Sequence, residues 1–131
     1  MTRLRRWAPA LLWMAAIFAV SHRPTVPLPN VSHADKVSHA LAYAVLGVAL
    51  AYALHRPGGG AWRGWTIALG WLYGASDEIH QSFVPGRSPE VADWVADAVG
   101  VVIGTFLFQR WLARRAALSA ATPRDAHFLR P

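Results

Sequence analysis

Four long apolar segments, joined by short polar connectors, make up most of this 131-residue chain. They cover residues 7–20, 37–54, 62–80 and 91–111. A helix that crosses a bilayer needs about 20 residues, and the last three segments approach or meet that length. The first segment does so when residues 4–6 are included, because long side chains at a helix end can extend to the interface. We therefore predict an all-α integral membrane four-helix bundle with short loops.

The composition favours a membrane protein over a soluble bundle. Hydrophobic residues make up 54% of the chain and charged residues 15%, against about 25% charged residues in a typical soluble domain. No segment has the polar outer face that a soluble helix needs. The predicted helices are about 5–21, 37–54, 62–80 and 91–112, in one domain over residues 1–115, followed by a flexible cytoplasmic tail over 116–131.

The first segment also has the features of a signal peptide. A basic region precedes an apolar stretch, and small residues occur near Ala19 and Ser21. Cleavage there would leave three helices and place the two termini on opposite sides of the membrane. The four-helix bundle is the main prediction, and the cleaved form is the alternative.

The formal net charge of +6 is compatible with nucleic-acid binding, but the chain has no basic helix and no aromatic–basic RNA-binding motif. The cations lie beside apolar segments, which favours a membrane surface as their partner. The absence of cysteine excludes a disulfide framework, a thiolate nucleophile and a cysteine-based zinc site. We expect the lipid bilayer as a partner, no nucleic acid and no cofactor.

The distribution of basic residues predicts the orientation, since Lys and Arg concentrate in cytoplasmic loops. With the N-terminus inside, ten basic residues are cytoplasmic: Arg3, Arg5, Arg6, Arg56, Arg63, Arg110, Arg114, Arg115, Arg124 and Arg130. Arg23, Lys36 and Arg87 are external. The acids divide the opposite way, because only Asp125 is cytoplasmic. Both distributions predict that the two termini are cytoplasmic.

Five of the seven acidic residues lie between Ser76 and Asp97. In the predicted topology, helices two and four run inward and helix three runs outward, so their polar ends meet at the outer side. The polar residues there are Asp35, Lys36, His39 and Tyr43 in helix two, Asp77, Glu78, His80 and Gln81 in helix three, and Asp93 and Asp97 in helix four. We predict that they line a cup open to the outside.

Small residues continue each polar face deeper into the membrane. Gly70 and Gly74 form one G-x-x-x-G motif, and Gly100 and Gly104 form another. Such motifs let helix backbones approach closely, so we predict helix contacts below the cup.

Asp97 lies one turn, about 5–6 Å, deeper than Asp93. A carboxylate at that depth is costly unless it is paired or hydrated. His39 lies at a similar depth in helix two, and we therefore predict that His39 and Asp97 form a charged pair or share a cation. In the following loop, Pro85 and Gly86 fit the central positions of a type II turn.

The stretches DKVSHALAYAVLG (residues 35–47) and SDEIHQSFVPGRSPEVADWVADAVGVVIG (residues 76–104) resemble the VanZ-like family of small bacterial membrane proteins. The matching positions are Asp35, Lys36, His39, Tyr43, Asp77, Glu78, His80, Gln81, Pro85, Gly86, Arg87, Asp93, Asp97 and Gly100. Two positions depart from the family pattern: Ala40 stands where an aromatic residue is frequent, and Asp97 where Asn is frequent. The family is named for a teicoplanin-resistance accessory protein. The resemblance implies a multi-pass protein of the bacterial cytoplasmic (inner) membrane with a role in the envelope or in glycopeptide tolerance.

Two functions are compatible with these residues. In the first, the protein is an accessory or binding module whose cup recognises a lipid-linked or peptide-bearing cell-wall component. Arg87 and Lys36 would contact phosphate or carboxylate groups, and the carboxylates would contact amines or hydroxyls. Arg87 could instead form a structural clasp with an acid, the candidates being Asp77, Glu78 and Asp93.

The second function is a membrane-embedded hydrolase or transferase that acts on a lipid-linked envelope substrate. The catalytic candidates are His39, Asp77, Glu78, His80 and Asp97, and the metal-ligand candidates are His39, His80, Asp93 and Asp97. Imidazole and carboxylate groups can bind a divalent metal or act as acid and base. No H-E-x-x-H motif, Ser–His–Asp order or two-metal motif is complete. Transport and a purely structural role are the remaining alternatives.

Overall fold

The structure is a computed structural model that describes residues 3–24 and 32–121. Within these residues the chain forms four α-helices and no β-strand: α1 (Arg3–Ser21), α2 (Ser32–Leu54), α3 (Trp62–Gln81) and α4 (Val91–Ala121). The predicted all-α class is therefore confirmed for the described part of the chain.

Two helix boundaries differ from the prediction. Helix α2 begins at Ser32, before the predicted apolar span at about residue 37 and at the start that a capping box of Ser32 and Asp35 indicates in the sequence. Its first turns therefore carry the polar residues that precede the apolar segment. Helix α4 continues to Ala121, so residues 116–121 of the predicted tail are helical. The stretch AALSAA at its end is rich in alanine, the strongest helix former. The remainder of the predicted tail, 122–131, lies outside the described residues.

Helix directions follow from the contacts between helices. Trp13 on α1 donates its Nε1–H to the carbonyl of Ala42 at 2.8 Å, and the hydroxyl of Tyr73 on α3 donates to the carbonyl of Met14 at 2.6 Å. Helices α1 and α3 run in one direction, and α2 and α4 run in the other. The ends of α1 and α3 therefore lie beside the starts of α2 and α4, and we call this end of the bundle the polar end.

Helices α2 and α4 are packed backbone to backbone. A Cβ atom at Gly100 or Gly104 would collide with the carbonyl oxygen of Ala40 or Ala44, respectively. On the other side of α4, a Cβ at Gly70 of α3 would lie 2.6 Å from both methyl carbons of Val101. The prediction that both G-x-x-x-G motifs lie at helix contacts is confirmed.

The opposite end of the bundle is closed by aromatic packing and by an arginine. Trp62, Phe108 and Ala51 form a small buried cluster there. Arg6 donates from Nη2 to the carbonyls of Tyr52 at 2.6 Å and His55 at 2.9 Å. Carbonyls at the end of a helix lack partners within that helix. Arg6 therefore caps the end of α2 and attaches α1 to it.

Large apolar side chains are exposed on the outside of all four helices, whereas several charged groups are inside. Examples on α1 to α4 are Leu12, Leu41, Leu72 and Leu107. Two of the helices in the described part of the chain, over Ala34–Leu54 and Val91–Ala121, are long and apolar enough by length and composition to cross a membrane. In α1 and α3, the charged residues lie near the helix ends.

We predict that Gly104→Ala lowers the free energy of unfolding by about 1–3 kcal/mol, the usual cost of overpacking. The added methyl group would meet the backbone of α2, which cannot move aside as a flexible side chain could. Thermal unfolding of the purified protein measures the change. Gly64→Ala is the control, because a Cβ at this exposed position of α3 has no neighbour within 4 Å. It should be neutral or slightly stabilising, and an equal loss in both variants would contradict the close contact.

Candidate functional site

Four carboxylates are buried together at the polar end. Asp77, Glu78, Asp93 and Asp97 are 3%, 7%, 5% and 0% exposed, respectively. The predicted convergence of these helix ends is therefore confirmed. Buried carboxylates need hydrogen-bond donors or cations, because transfer of a charge out of water is costly.

The deepest carboxylate, Asp97, faces His39. Its Oδ1 lies 2.9 Å from His39 Nδ1, which confirms the predicted pair. On its other side, His39 Nε2 lies 4.0 Å from Asp35 Oδ1, and the side chain of Asp35 is 54% exposed. Asp97 Oδ2 has no hydrogen-bond partner among the described residues. A Cβ at Gly74 would lie 3.3 Å from this oxygen, so the glycine leaves space beside the carboxylate.

Lys36 joins the first turns of α2 and α4. Its Nζ donates to Glu90 Oε2 at 2.6 Å and also to Asp93 Oδ1. Sequence reasoning proposed Lys36 as a contact for an anionic ligand, but two carboxylates of the protein already surround its ammonium group. Glu90 had no assigned role in the sequence analysis. Its position one residue before α4 was the signal that it could reach the same cation.

Gln81 connects two acids to Arg87. Its Nε2 donates to Asp77 Oδ2 at 3.1 Å, and it lies 3.5 Å from Glu78 Oε1. Its Oε1 accepts a hydrogen bond from Arg87 Nη1 at 3.1 Å. Among the described residues Arg87 forms no ion pair, so the proposed direct clasp to Asp77, Glu78 or Asp93 is wrong. A neutral amide stands between the guanidinium and the acids.

A tight turn holds Arg87 over this network. The backbone N–H of Arg87 donates to the carbonyl of Val84 at 3.1 Å, and Gly86 has a φ of 79°. These are the features of a type II turn with Pro85 and Gly86 at its centre, which confirms the prediction. The Nε of Arg87 also donates to the carbonyl of Arg23 at 3.3 Å, and this bond attaches the turn to the residues after α1.

Two further donors bond to the buried acids. Ser21 donates its hydroxyl to Asp77 Oδ2 at 2.9 Å. Sequence reasoning missed this residue, because it treated Ser21 only as a small residue near a cleavage site. Glu78 Oε2 accepts the backbone N–H of Glu90 at 2.8 Å. Glu78 therefore ties the end of α3 to the start of α4.

His80 lies apart from these acids. Its Nε2 is 3.2 Å from His22 Nδ1, and its ring is 4.4 Å from that of Phe18. Within the described residues, the groups of potential metal ligands that converge are Asp35, His39 and Asp93, and His39, Glu78 and Asp97. Neither group includes His80. The sequence placed His80 at the correct depth, but its side chain points toward α1.

A cavity of about 420 Å³ lies between α1, α2 and α3 beside the buried acids. Trp13, Ile17 and Val20 of α1 contribute apolar walls, and the polar lining includes Ser21, Asp35, His39, Tyr43, Asp77 and Arg87. This arrangement differs from the predicted cup between helices two, three and four. Helix α4 packs directly against α2 at Gly100 and Gly104, and the apolar wall of the cavity is on α1.

Two polar atoms of residues that line the cavity lack a partner within the described part of the chain. They are the hydroxyl of Tyr43 and Asp77 Oδ1, both buried. Buried polar groups are rarely left unpaired in proteins. The cavity therefore has an apolar wall and lies beside buried polar groups whose hydrogen-bonding capacity is unused among the described residues.

We predict that His39→Ala and Asp97→Ala each destabilise the protein by about 3–5 kcal/mol, the usual cost of breaking a buried pair. The double variant should lose less than the sum, with a coupling energy of about 0.5–3 kcal/mol. A double-mutant cycle from unfolding curves measures this coupling. Asp35→Ala is the control, because its exposed carboxylate should contribute about 1 kcal/mol or less. Strict additivity of the two single changes would show that the pair makes no energetic contribution.

The comparisons with known proteins are consistent with this geometry. A family model described as VanZ/LLP1 matches residues 5–113. Comparisons with curated proteins and with solved structures found no match. The matched region contains nearly all of α1, the whole of α2 and α3, α4 as far as residue 113, and every residue of the buried polar network. The chain therefore belongs to the VanZ-like family.

Proposed function

We propose that the protein is an accessory, ligand-binding component of the bacterial cell envelope. Its ligand would be an envelope molecule with both an apolar and a polar part, such as a lipid-linked or peptide-bearing cell-wall component. The observation that carries this proposal is the cavity between α1, α2 and α3. One side of it is apolar, and the other is lined by residues that include Tyr43 and Asp77. The Tyr43 hydroxyl and Asp77 Oδ1 are buried and have no partner among the described residues.

The proposed setting is the cytoplasmic membrane, crossed by all four helices. The outward-facing leucine, valine and phenylalanine side chains would be solvated by lipid, since exposed apolar patches of this extent are uncommon on soluble monomers. The polar network lies inside, where side chains rather than water satisfy it. Arg6, Arg63 and Arg115 also lie beside aromatic rings, an arrangement that suits a membrane interface.

The proposed orientation places the polar end outside and both termini in the cytoplasm. The excess of basic residues at the other end supports it. The start of α1 and the end of α4 lie at the same end of the bundle, because α1 and α4 run in opposite directions.

Single cysteine substitutions test this orientation cleanly, because the chain contains no cysteine of its own. In spheroplasts, we expect a membrane-impermeant maleimide to label Ser88→Cys, in the loop before α4. Gly59→Cys, in the loop between α2 and α3, should react only after permeabilisation. The reverse pattern would contradict the orientation, and equal labelling of both intact variants would contradict a barrier between the two loops.

Arg87 is the proposed contact for an anionic group of the ligand. Two of its N–H groups bond Gln81 and the carbonyl of Arg23, and the guanidinium lines the cavity. A planar guanidinium can bind phosphate or carboxylate through two parallel hydrogen bonds, which the single ammonium of a lysine cannot reproduce. Lys36 is less suited to this role, because Glu90 and Asp93 already surround it.

We predict that Arg87→Lys keeps the melting temperature near that of the wild type but weakens ligand binding roughly tenfold or more, the loss of a charge-assisted hydrogen bond. Native mass spectrometry of protein extracted from membranes would measure the copurifying molecule. Arg63→Lys, at the opposite end of the bundle, is the matched control and should retain it.

Two results would change this assignment. Wild-type binding by Arg87→Ala would remove Arg87 from the site. A large loss of stability in Arg87→Ala that Arg87→Lys restores, with binding unchanged in Arg87→Lys, would give Arg87 a structural role only. Expression of the wild type and of Arg87→Lys in a teicoplanin-sensitive host tests the proposed link to glycopeptide tolerance.

The second candidate function is a hydrolase or transferase that acts on a lipid-linked substrate. The observation that favours it is the His39–Asp97 pair, in which a carboxylate orients an imidazole that lines the cavity. A histidine held in this way can act as a general base. Chemical change of the copurifying molecule by the wild type, but not by His39→Ala, would favour this function over binding alone.

A further inference from the structure

We propose that His39, Glu78 and Asp97 form a binding site for one divalent transition-metal ion, Zn²⁺ or Mn²⁺. One potential ligand atom from each of the three residues lies within 4.8 Å of the other two. The three residues come from α2, α3 and α4, so an ion at this point would join three helices. This inference goes beyond the proposed ligand binding, which rests on the cavity and on Arg87.

An unused oxygen supports an ion at this position. Asp97 is fully buried, yet its Oδ2 has no hydrogen-bond partner in the part of the chain that the structure describes. The oxygen faces Gly74, on the face of α3 that carries Glu78 one turn later. An ionised oxygen without donor or cation is expensive in a buried setting. A metal ion would supply the missing partner without a further side chain.

The balance of charges points the same way. Of the buried acids, Asp93 is neutralised by Lys36, and the guanidinium of Arg87 bonds to the amide of Gln81. Among the described residues, His39 is the one basic side chain that contacts Asp97. Glu78 is bonded by a neutral backbone N–H of Glu90. Asp97 therefore has one imidazole as its partner, and Glu78 has only neutral hydrogen-bond partners among the described residues. A dication would compensate the excess negative charge.

The ligand set selects the class of metal. Imidazole suits Zn²⁺ and related transition metals, whereas carboxylates are also ligands for Mn²⁺. Bonds of about 2.0–2.2 Å place neighbouring ligand atoms roughly 3–4 Å apart, so small side-chain rotations would close the site. Three protein ligands leave at least one position for water or for a ligand group, as in sites with an open coordination position.

The neighbouring group of Asp35, His39 and Asp93 is the weaker candidate. Asp35 is largely exposed, and Asp93 already accepts a hydrogen bond from Lys36. An ion there would have to displace the lysine.

Elemental analysis of the purified protein tests the proposal. After dialysis against Zn²⁺ or Mn²⁺ and removal of excess ion, the wild type should retain about one equivalent per chain. His39→Ala and Asp97→Asn should lose most of it. His80→Ala is the matched control, since it also removes a histidine at the polar end, and it should retain the metal. Loss of metal from His80→Ala to the same extent as from His39→Ala would overturn the assignment.

A second measurement uses the wild-type protein alone, so its outcome does not depend on whether the variants fold. Wild-type protein stripped with EDTA should unfold at a lower temperature and recover when Zn²⁺ or Mn²⁺ is added, because an ion that binds the folded state stabilises it. No retained metal together with no rise in melting temperature would refute the site. Arg87→Lys should keep the metal, so this inference and the ligand proposal can fail separately.

Discussion

The backbone contact between α2 and α4 is the constraint on which the rest of the arrangement depends. Gly100 and Gly104 allow α4 to meet the carbonyls of Ala40 and Ala44 directly. Because the two helices run in the same direction, their first turns are held side by side at a set register. That register brings Asp97 to His39 and Asp93 to Lys36. The polar network is therefore built on the packing of small residues below it.

The buried acids show how this bundle tolerates charge in its interior. Each has at least one donor: Asp77 bonds Ser21, Glu78 bonds a backbone N–H, Asp93 bonds Lys36 and Asp97 bonds His39. The compensation is incomplete, since one oxygen each of Asp77 and Asp97 lacks a partner among the described residues. Buried polar atoms in proteins nearly always have a hydrogen-bond partner. The unpaired carboxylate oxygens at this end of the bundle are therefore the physical argument for a ligand or an ion there.

Helix α1 contributes to the cavity, to the buried polar network and to the end of α2. It contributes the apolar wall of the cavity through Trp13 and Ile17, the Ser21 donor to Asp77 and the Arg6 cap on the end of α2. Removal of this segment would expose the cavity and leave Asp77 with fewer donors. These contacts make α1 part of the packing of the described chain.

The sequence by itself determined the depth of each residue along its helix. Apolar length and charge position were enough to predict four helices, the meeting of their polar ends, the glycine contacts and the His39–Asp97 pair, because each residue advances a helix by about 1.5 Å. The tertiary structure alone decided how each helix is rotated, since rotation depends on packing against residues distant in sequence. In the structure, His80 faces α1, and Lys36 pairs with Glu90 and Asp93. Gln81 lies between Arg87 and the acids, and the cavity lies against α1.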